Sequence, residues 1–112
     1  MKHIIVKRPW GKFKRFTLNE KSTVKIITVK KGEAFSLQYH KKRKEFWHII
    51  FGSGVITLGN KKRKVKAGDE FIVPSRMKHR LQATQEIKFL EISFGTFNEK
   101  DIVRLEDKYG RK

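Results

Sequence analysis

No cysteine occurs anywhere in the chain. That removes disulfides, thiolate zinc sites and cysteine nucleophiles together, and it agrees with a reducing compartment. Any metal must therefore be held by His, carboxylate or amide ligands. Acidic residues are scarce too: 11 Asp and Glu stand against 28 Lys and Arg, a formal charge of +17. Such a surplus favours anionic partners such as phosphate, nucleic acid or an acidic surface, without choosing among them. Long hydrophobic runs are missing. The start, Met1-Lys2-His3-Ile4-Ile5-Val6-Lys7, has only three consecutive apolar residues, too few for a signal-peptide core or a membrane span. These absences predict a soluble, cytoplasmic protein with no membrane partner. No low-complexity stretch, internal repeat or linker is visible.

What is present suffices for one domain, residues 1–112. A chain of this length buries roughly 65% of its unfolded surface, enough for one modest core. At 38% hydrophobic and 12% aromatic it has the material to fill that core, despite 35% charge.

Short β-branched and aromatic runs separated by Gly, Asn, Asp and Pro fill the stretch from Thr23 to Phe94, the pattern of an antiparallel sandwich or barrel. Expected strands are Val24–Val29, Phe35–Tyr39, Phe46–Phe51, Gly54–Leu58, Lys62–Val65, Glu70–Val73, His79–Ala83 and Ile87–Phe94. Together they predict an all-β fold: one small barrel over 23–97, preceded by an N-terminal arm over 1–22. After Phe97 the pattern changes. Asn98 is a helix N-cap candidate, and Ile102, Leu105 and Tyr109 repeat at helical spacing before Gly110, which predicts a C-terminal α-helix and tail over 98–112.

Two of the four histidines stand in a chemical context. Gln38 and His40 are two apart on an expected strand and leave the same face, and Glu45 follows after the turn Lys41-Lys42-Arg43-Lys44. His79 opens a later strand and supplies a fourth ligand if the sheet closes. His3 and His48 lack such a context, and His48 has the opposite parity to Glu45.

These spacings resemble a known pattern. Gly32, Gln38, His40, Glu45 and Gly52 are spaced as in the first cupin motif, with Gln for its first His. Gly68, Pro74, Arg76, His79 and Ala83 are spaced as in the second, with Arg and Ala replacing its Gly and Asn. Within cupins the chain is similar to the type II mannose-6-phosphate isomerases, usually met as the C-terminal domain of bifunctional guanylyltransferases. The marks are Arg8-Pro9-Trp10-Gly11, Ser36-Leu37-Gln38-Tyr39-His40, Arg43-Lys44-Glu45-Phe46-Trp47, His79-Arg80-Leu81 and the segment from Asp101 to Arg111. The family also has Gln at the first ligand position. Its frequent extra histidines are replaced here by Lys41, Lys42 and Phe46, so no role of theirs carries over. The resemblance implies a cupin (jelly-roll) barrel and a metal-dependent isomerase that interconverts mannose 6-phosphate and fructose 6-phosphate through an enediolate. Guanylyltransferase activity is not expected, because no Gly-rich phosphate loop is present.

The chemistry then assigns roles. One divalent ion, Zn, Co, Mn or Ni, is expected at Gln38, His40, Glu45 and His79, a mixed set that discriminates poorly among them. Glu91, a carboxylate in the otherwise apolar run Ile87–Phe94, is the candidate base. Arg43, with its planar fork, is the candidate phosphate contact. Lys25, Ser36 and Trp47 are candidate pocket residues by strand phase. Trp10 is expected to pin the arm to the barrel, and Arg80 to point away from the metal. A homodimer is expected, to cover sheet edges. Two alternatives are weighed. An RNA- or anion-binding basic barrel lacks an RNP-type aromatic pair, and a cupin with other sugar or oxygen chemistry usually keeps three histidines.

Overall fold

The computed structural model of the protein describes residues 4–107, 109 and 110. Eleven strands form in chain order: β1 (Ile4–Arg8), β2 (Gly11–Arg15), β3 (Ser22–Val29), β4 (Leu37–Tyr39), β5 (Glu45–Phe51), β6 (Ser53–Leu58), β7 (Lys61–Lys66), β8 (Glu70–Val73), β9 (His79–Ala83), β10 (Ile87–Phe94) and β11 (Val103–Glu106). No helix occurs among the described residues, so none is long and apolar enough to cross a membrane. The expected strands Glu70–Val73, His79–Ala83 and Ile87–Phe94 coincide with β8, β9 and β10.

Period-two alternation builds the core. On β9, His79, Leu81 and Ala83 are buried while Arg80 and Gln82 point outward, and on β10 the inward series is Ile87, Phe89, Glu91 and Ser93. One antiparallel sheet has the order β3-β10-β5-β8 and a second the order β11-β4-β9-β6-β7. Trp47, Ile49, Phe71, Val73, Ile87 and Phe89 from the first sheet meet Ile56, Val65, Leu81 and Ala83 from the second in one cluster. The two sheets stay separate. This corrects the single closed barrel expected: β7 is an edge of exposed Lys61, Lys62, Arg63, Lys64 and Lys66, and such charged edges resist further pairing. Between β5 and β6, Gly52 has φ +89°, and a Cβ there would lie 1.9 Å from the carbonyl oxygen of Glu86. Only glycine lets the two backbones approach so closely.

Both termini differ from expectation. The C-terminal helix does not form; Val103–Glu106 instead pairs with β4, setting Val103 opposite Tyr39 and Arg104 opposite Gln38. A ten-residue helix is marginal alone, whereas β4 offers an open ladder. The start signal is still used, since Asn98 Oδ1 accepts the Lys100 N–H at 3.0 Å, but it caps a turn. At the other end, β1 and β2 form a separate hairpin. Trp10 sits at its turn and is 74% exposed, so it does not pin the arm. Phe16 does, with its ring 5.6 Å from that of Phe46.

Candidate metal centre

Three of the four ligands expected from spacing, His40, Glu45 and His79, come together. Gln38 lies on β4 directly opposite His79, the first residue of β9. His40 follows β4, and Glu45 opens β5. His40, Glu45 and His79 are 2%, 1% and 0% exposed, and one ligand atom from each lies within 4.8 Å of the others. Ligands held about 2.0–2.2 Å from a common ion sit within such distances of one another.

The tautomers are set by carbonyl partners. His40 Nδ1 lies 2.6 Å from the Asp101 carbonyl oxygen, and His79 Nδ1 lies 3.0 Å from that of Met77. A carbonyl only accepts, so each Nδ1 carries the hydrogen and each Nε2 presents a lone pair. His79 Nε2 is buried without any hydrogen-bond partner, an orphaned donor atom of the kind a cation would satisfy. Burial pushes both imidazoles below their ordinary pKa, although Glu45 and the carbonyls oppose it. Neutral imidazole is the form that ligates. The residues present therefore fit a divalent ion.

Around the ligands lies a shell of oriented donors. Trp47 Nε1–H donates to Glu45 Oε1 at 3.0 Å, and Arg43 Nε–H donates to Oε2 at 2.9 Å. Arg43 also donates to the Asn98 carbonyl at 3.1 Å, and its Nη2 lies 3.3 Å from His40 Nε2. The guanidinium predicted to face a phosphate is thus buried beside the ligand cluster. Ser36 is fully buried and donates to Gln38 Oε1 at 2.6 Å. Trp47 is fully buried too, with its ring stacked 4.3 Å from that of Phe89.

Glu91 faces inward and is 6% exposed. It pairs in register with Lys25 on β3 and with Trp47 on β5. Burial first, then the charge of Glu45, raises its pKa from 4.5 to about 7. His48 is directed elsewhere, its Nδ1 2.6 Å from Glu70 Oε2. Arg80 bonds to Glu106. His3 lies outside the described residues.

Four contributors escaped sequence reasoning. Phe97 lies beneath two cations, Lys25 Nζ at 4.0 Å and Arg43 Cζ at 4.6 Å from its ring centre. Asp101 holds His40 through its carbonyl while its carboxylate accepts the N–H groups of Lys41 and Lys42. Ser93 continues the inward parity of Glu91. Arg104 reaches the row of Gln38 and His79 only because β11 is a strand, and its Nε is buried without a partner. Strand parity would have found Ser93; the others depend on loop and terminal geometry.

A model of the family described as mannose-6-phosphate isomerase C-terminal matches residues 1–107. Among curated relatives, a mannose-1-phosphate guanylyltransferase of Salmonella montevideo is 38% identical over 97% of this chain and 24% of its own length. The xanthan biosynthesis protein XanB of Xanthomonas campestris (strain B100) is 35% identical over the same shares. The chain thus spans about a quarter of these relatives. Among solved structures, an oxalate decarboxylase mutant of Bacillus subtilis matches with a TM-score of 0.70 at 26% identity, over 78% of this chain and 25% of that one. A provisionally named sugar phosphate isomerase of Acidithiobacillus ferrooxidans matches with a TM-score of 0.61 at 18% identity, over 67% and 51%. The fold is that of a cupin, and the chain belongs to the mannose-6-phosphate isomerase C-terminal family.

Proposed function

We propose that this chain is a metal-dependent aldose–ketose isomerase interconverting mannose 6-phosphate and fructose 6-phosphate. The observation that carries the reading is the convergence of two imidazoles and the Glu45 carboxylate in one buried cluster, with a second buried carboxylate, Glu91, sharing the Ser93 hydroxyl with Glu45. His40, His79, Glu45 and the Gln38 amide oxygen would hold a divalent ion, which would supply positive charge as negative charge develops on the open-chain sugar.

The remaining work falls to the chain. Glu91 accepts the proton from C2, and the electrons of that C–H bond move into a C1–C2 double bond while O1 takes the charge. The same carboxyl then returns the proton to C1 as the carbonyl forms at C2 and the O2 proton passes to O1. A base whose pKa lies near the working pH suits both transfers. Trp47 and Arg43 hold Glu45 in place, and Ser36 orients the Gln38 amide. Lys25 and Arg43, both against the Phe97 ring, supply the positive charge for the substrate phosphate.

An assay coupled to fructose 6-phosphate formation tests the reading. Purified chain should convert mannose 6-phosphate, lose turnover on chelation and regain it with Mn, Co, Zn or Ni. Metal-loaded chain that forms no fructose 6-phosphate would overturn it.

A further inference from the structure

The outward face of β9, β6 and β7 serves neither the core nor the ligand cluster, and hydrogen-bond donors dominate it. Residues directly opposite in an antiparallel pair share a face. Register therefore sets Lys62, Thr57 and Arg80 in one row across β7, β6 and β9, and Lys64, Val55 and Gln82 in the next. Lys66 and Ser53 form a third. Lys78, with the parity of Arg80, lines a groove of about 370 Å³ together with Lys62, Arg80, Asn60 and Thr57. Protection of a sheet edge needs charge on the edge strand alone; here cations continue to β9, two strands inward.

Little neutralises this charge. Glu106 lies 3.3 Å from Arg80 Nη2 at one border, and Asp69 lies 3.8 Å from Lys66 Nζ at another. Among the described residues no carboxylate pairs with Lys62, Lys64 or Lys78, and Arg80 Nε is buried without a hydrogen-bond partner. Lys, Arg, Ser, Thr, Asn and Gln are the side chains that bond phosphate oxygens. The three strands hold no Phe, Tyr or Trp, which removes the base stacking that holds single strands. None of the exposed large hydrophobic side chains lies on them either, which removes what a lipid interface takes up.

We propose that this face binds double-stranded nucleic acid by its phosphate backbone, independently of base sequence. The cations run in two lines. Lys62, Lys64 and Lys66 alternate along β7 about 6.8 Å apart, and Lys78 and Arg80 lie two strands away, about 10 Å across. That separation falls within the roughly 6–12 Å of the grooves that part the two backbones of a duplex. Each line faces one backbone, a layout that a single strand leaves half used. The missing RNP-type aromatic pair bears on base stacking and not on phosphate contact. A formal charge of +17 draws the polyanion in from a distance. Gln38 and His79 point to the opposite side of the sheet, so a duplex here and the ligand cluster do not compete.

Fluorescence anisotropy of a labelled DNA duplex of about 20 base pairs, titrated with the full chain between 50 and 200 mM salt, tests this. Five cations on phosphates give log K a slope against log salt of about −4.5, roughly a 500-fold loss over that range. Lys62→Ala and Lys64→Ala should each weaken binding and flatten the slope by about 0.9, alike on two unrelated sequences. Lys88→Ala removes the same charge from β10 in the other sheet and should leave the slope unchanged. All three side chains are exposed, so circular dichroism should not change. No binding at 50 mM salt, a slope flattened equally by Lys88→Ala, tighter binding of the separated single strand, or a preference between the two sequences would each overturn the proposal. Capture of heparin or of phosphatidylserine vesicles with none of the duplex would overturn it as well.

Discussion

Glu45 and Glu91 compete for one hydroxyl: Ser93 Oγ lies 3.3 Å from Glu91 Oε1 and 3.5 Å from Glu45 Oε2. The two carboxylates differ in what else they hold. Glu45 accepts from Arg43 and Trp47, donors that fix both of its oxygens. Glu91 is buried near that charge, so its own ionisation is resisted and its pKa rises to about 7. Fixed donors on one acid and a raised pKa on the other separate a ligand role from a proton-transfer role.

The first prediction isolates that difference. Glu91→Gln keeps the shape of the side chain and removes the base, so turnover should fall about 10²- to 10⁴-fold with metal content unchanged by elemental analysis. Normal turnover in this variant would remove Glu91 from the mechanism.

Stability against pH gives a second prediction, for chelated protein. The folded pKa of Glu91 lies above its ordinary 4.5, so the native state holds a proton that the unfolded chain releases. Its contribution is complete below pH 4.5 and is lost as pH rises through 7, roughly 3 kcal/mol in all. His40 and His79 act in the opposite sense. Their lowered pKa values make stability complete above 6.5 and lost as pH falls. Glu91→Gln should therefore flatten urea-derived stability on the neutral side and leave the acid side intact. An unchanged profile on the neutral side would contradict the burial argument.

Third, the outer contacts of the metal ligands should matter. His79→Ala removes a ligand and should abolish stoichiometric metal. Asp101→Ala keeps the carbonyl that holds His40 but frees the Lys41 and Lys42 N–H groups, so metal affinity should fall about tenfold. Competition against a chromophoric chelator measures both; equal affinity in all three proteins would remove the ion from these residues.

Arg43→Lys keeps a charge but loses the fork that spans Glu45, Asn98 and the Phe97 ring. Losing one charge-assisted hydrogen bond of about 1.5–3 kcal/mol lowers kcat/KM roughly 10- to 150-fold. Turnover of unphosphorylated mannose separates two causes: if Arg43 acts on the phosphate, that weaker activity is unaffected. Unchanged kinetics with mannose 6-phosphate would exclude Arg43 from the site.

Much of this centre was legible because strand parity is local. Gln38 and His40 share a face by their spacing alone, and Glu91 continues an inward series begun by Ile87 and Phe89. The C-terminus was not legible. Ile102, Leu105 and Tyr109 fit a helical stripe, and only the open ladder of β4, distant in sequence, decides for a strand and so brings Arg104 beside Gln38. Arg76 shows the converse. It stands where the second cupin motif has Gly, yet keeps the left-handed conformation at φ +67° and donates its N–H to the His40 carbonyl at 2.6 Å. Such backbone strain costs about 1 kcal/mol or more, and side-chain patterning carries no trace of it. Nor did Trp10 in Arg8-Pro9-Trp10-Gly11 disclose that it sits at an exposed hairpin turn rather than against the sheet.

NMR of mannose 6-phosphate incubated in D2O with metal-loaded chain tests the account most directly. A proton resting on Glu91 between C2 and C1 exchanges with solvent, so fructose 6-phosphate formed early in turnover should carry deuterium at C1, and chelation should abolish its formation. Fructose 6-phosphate without deuterium would contradict the enediolate route, and no fructose 6-phosphate at all would contradict the isomerase itself.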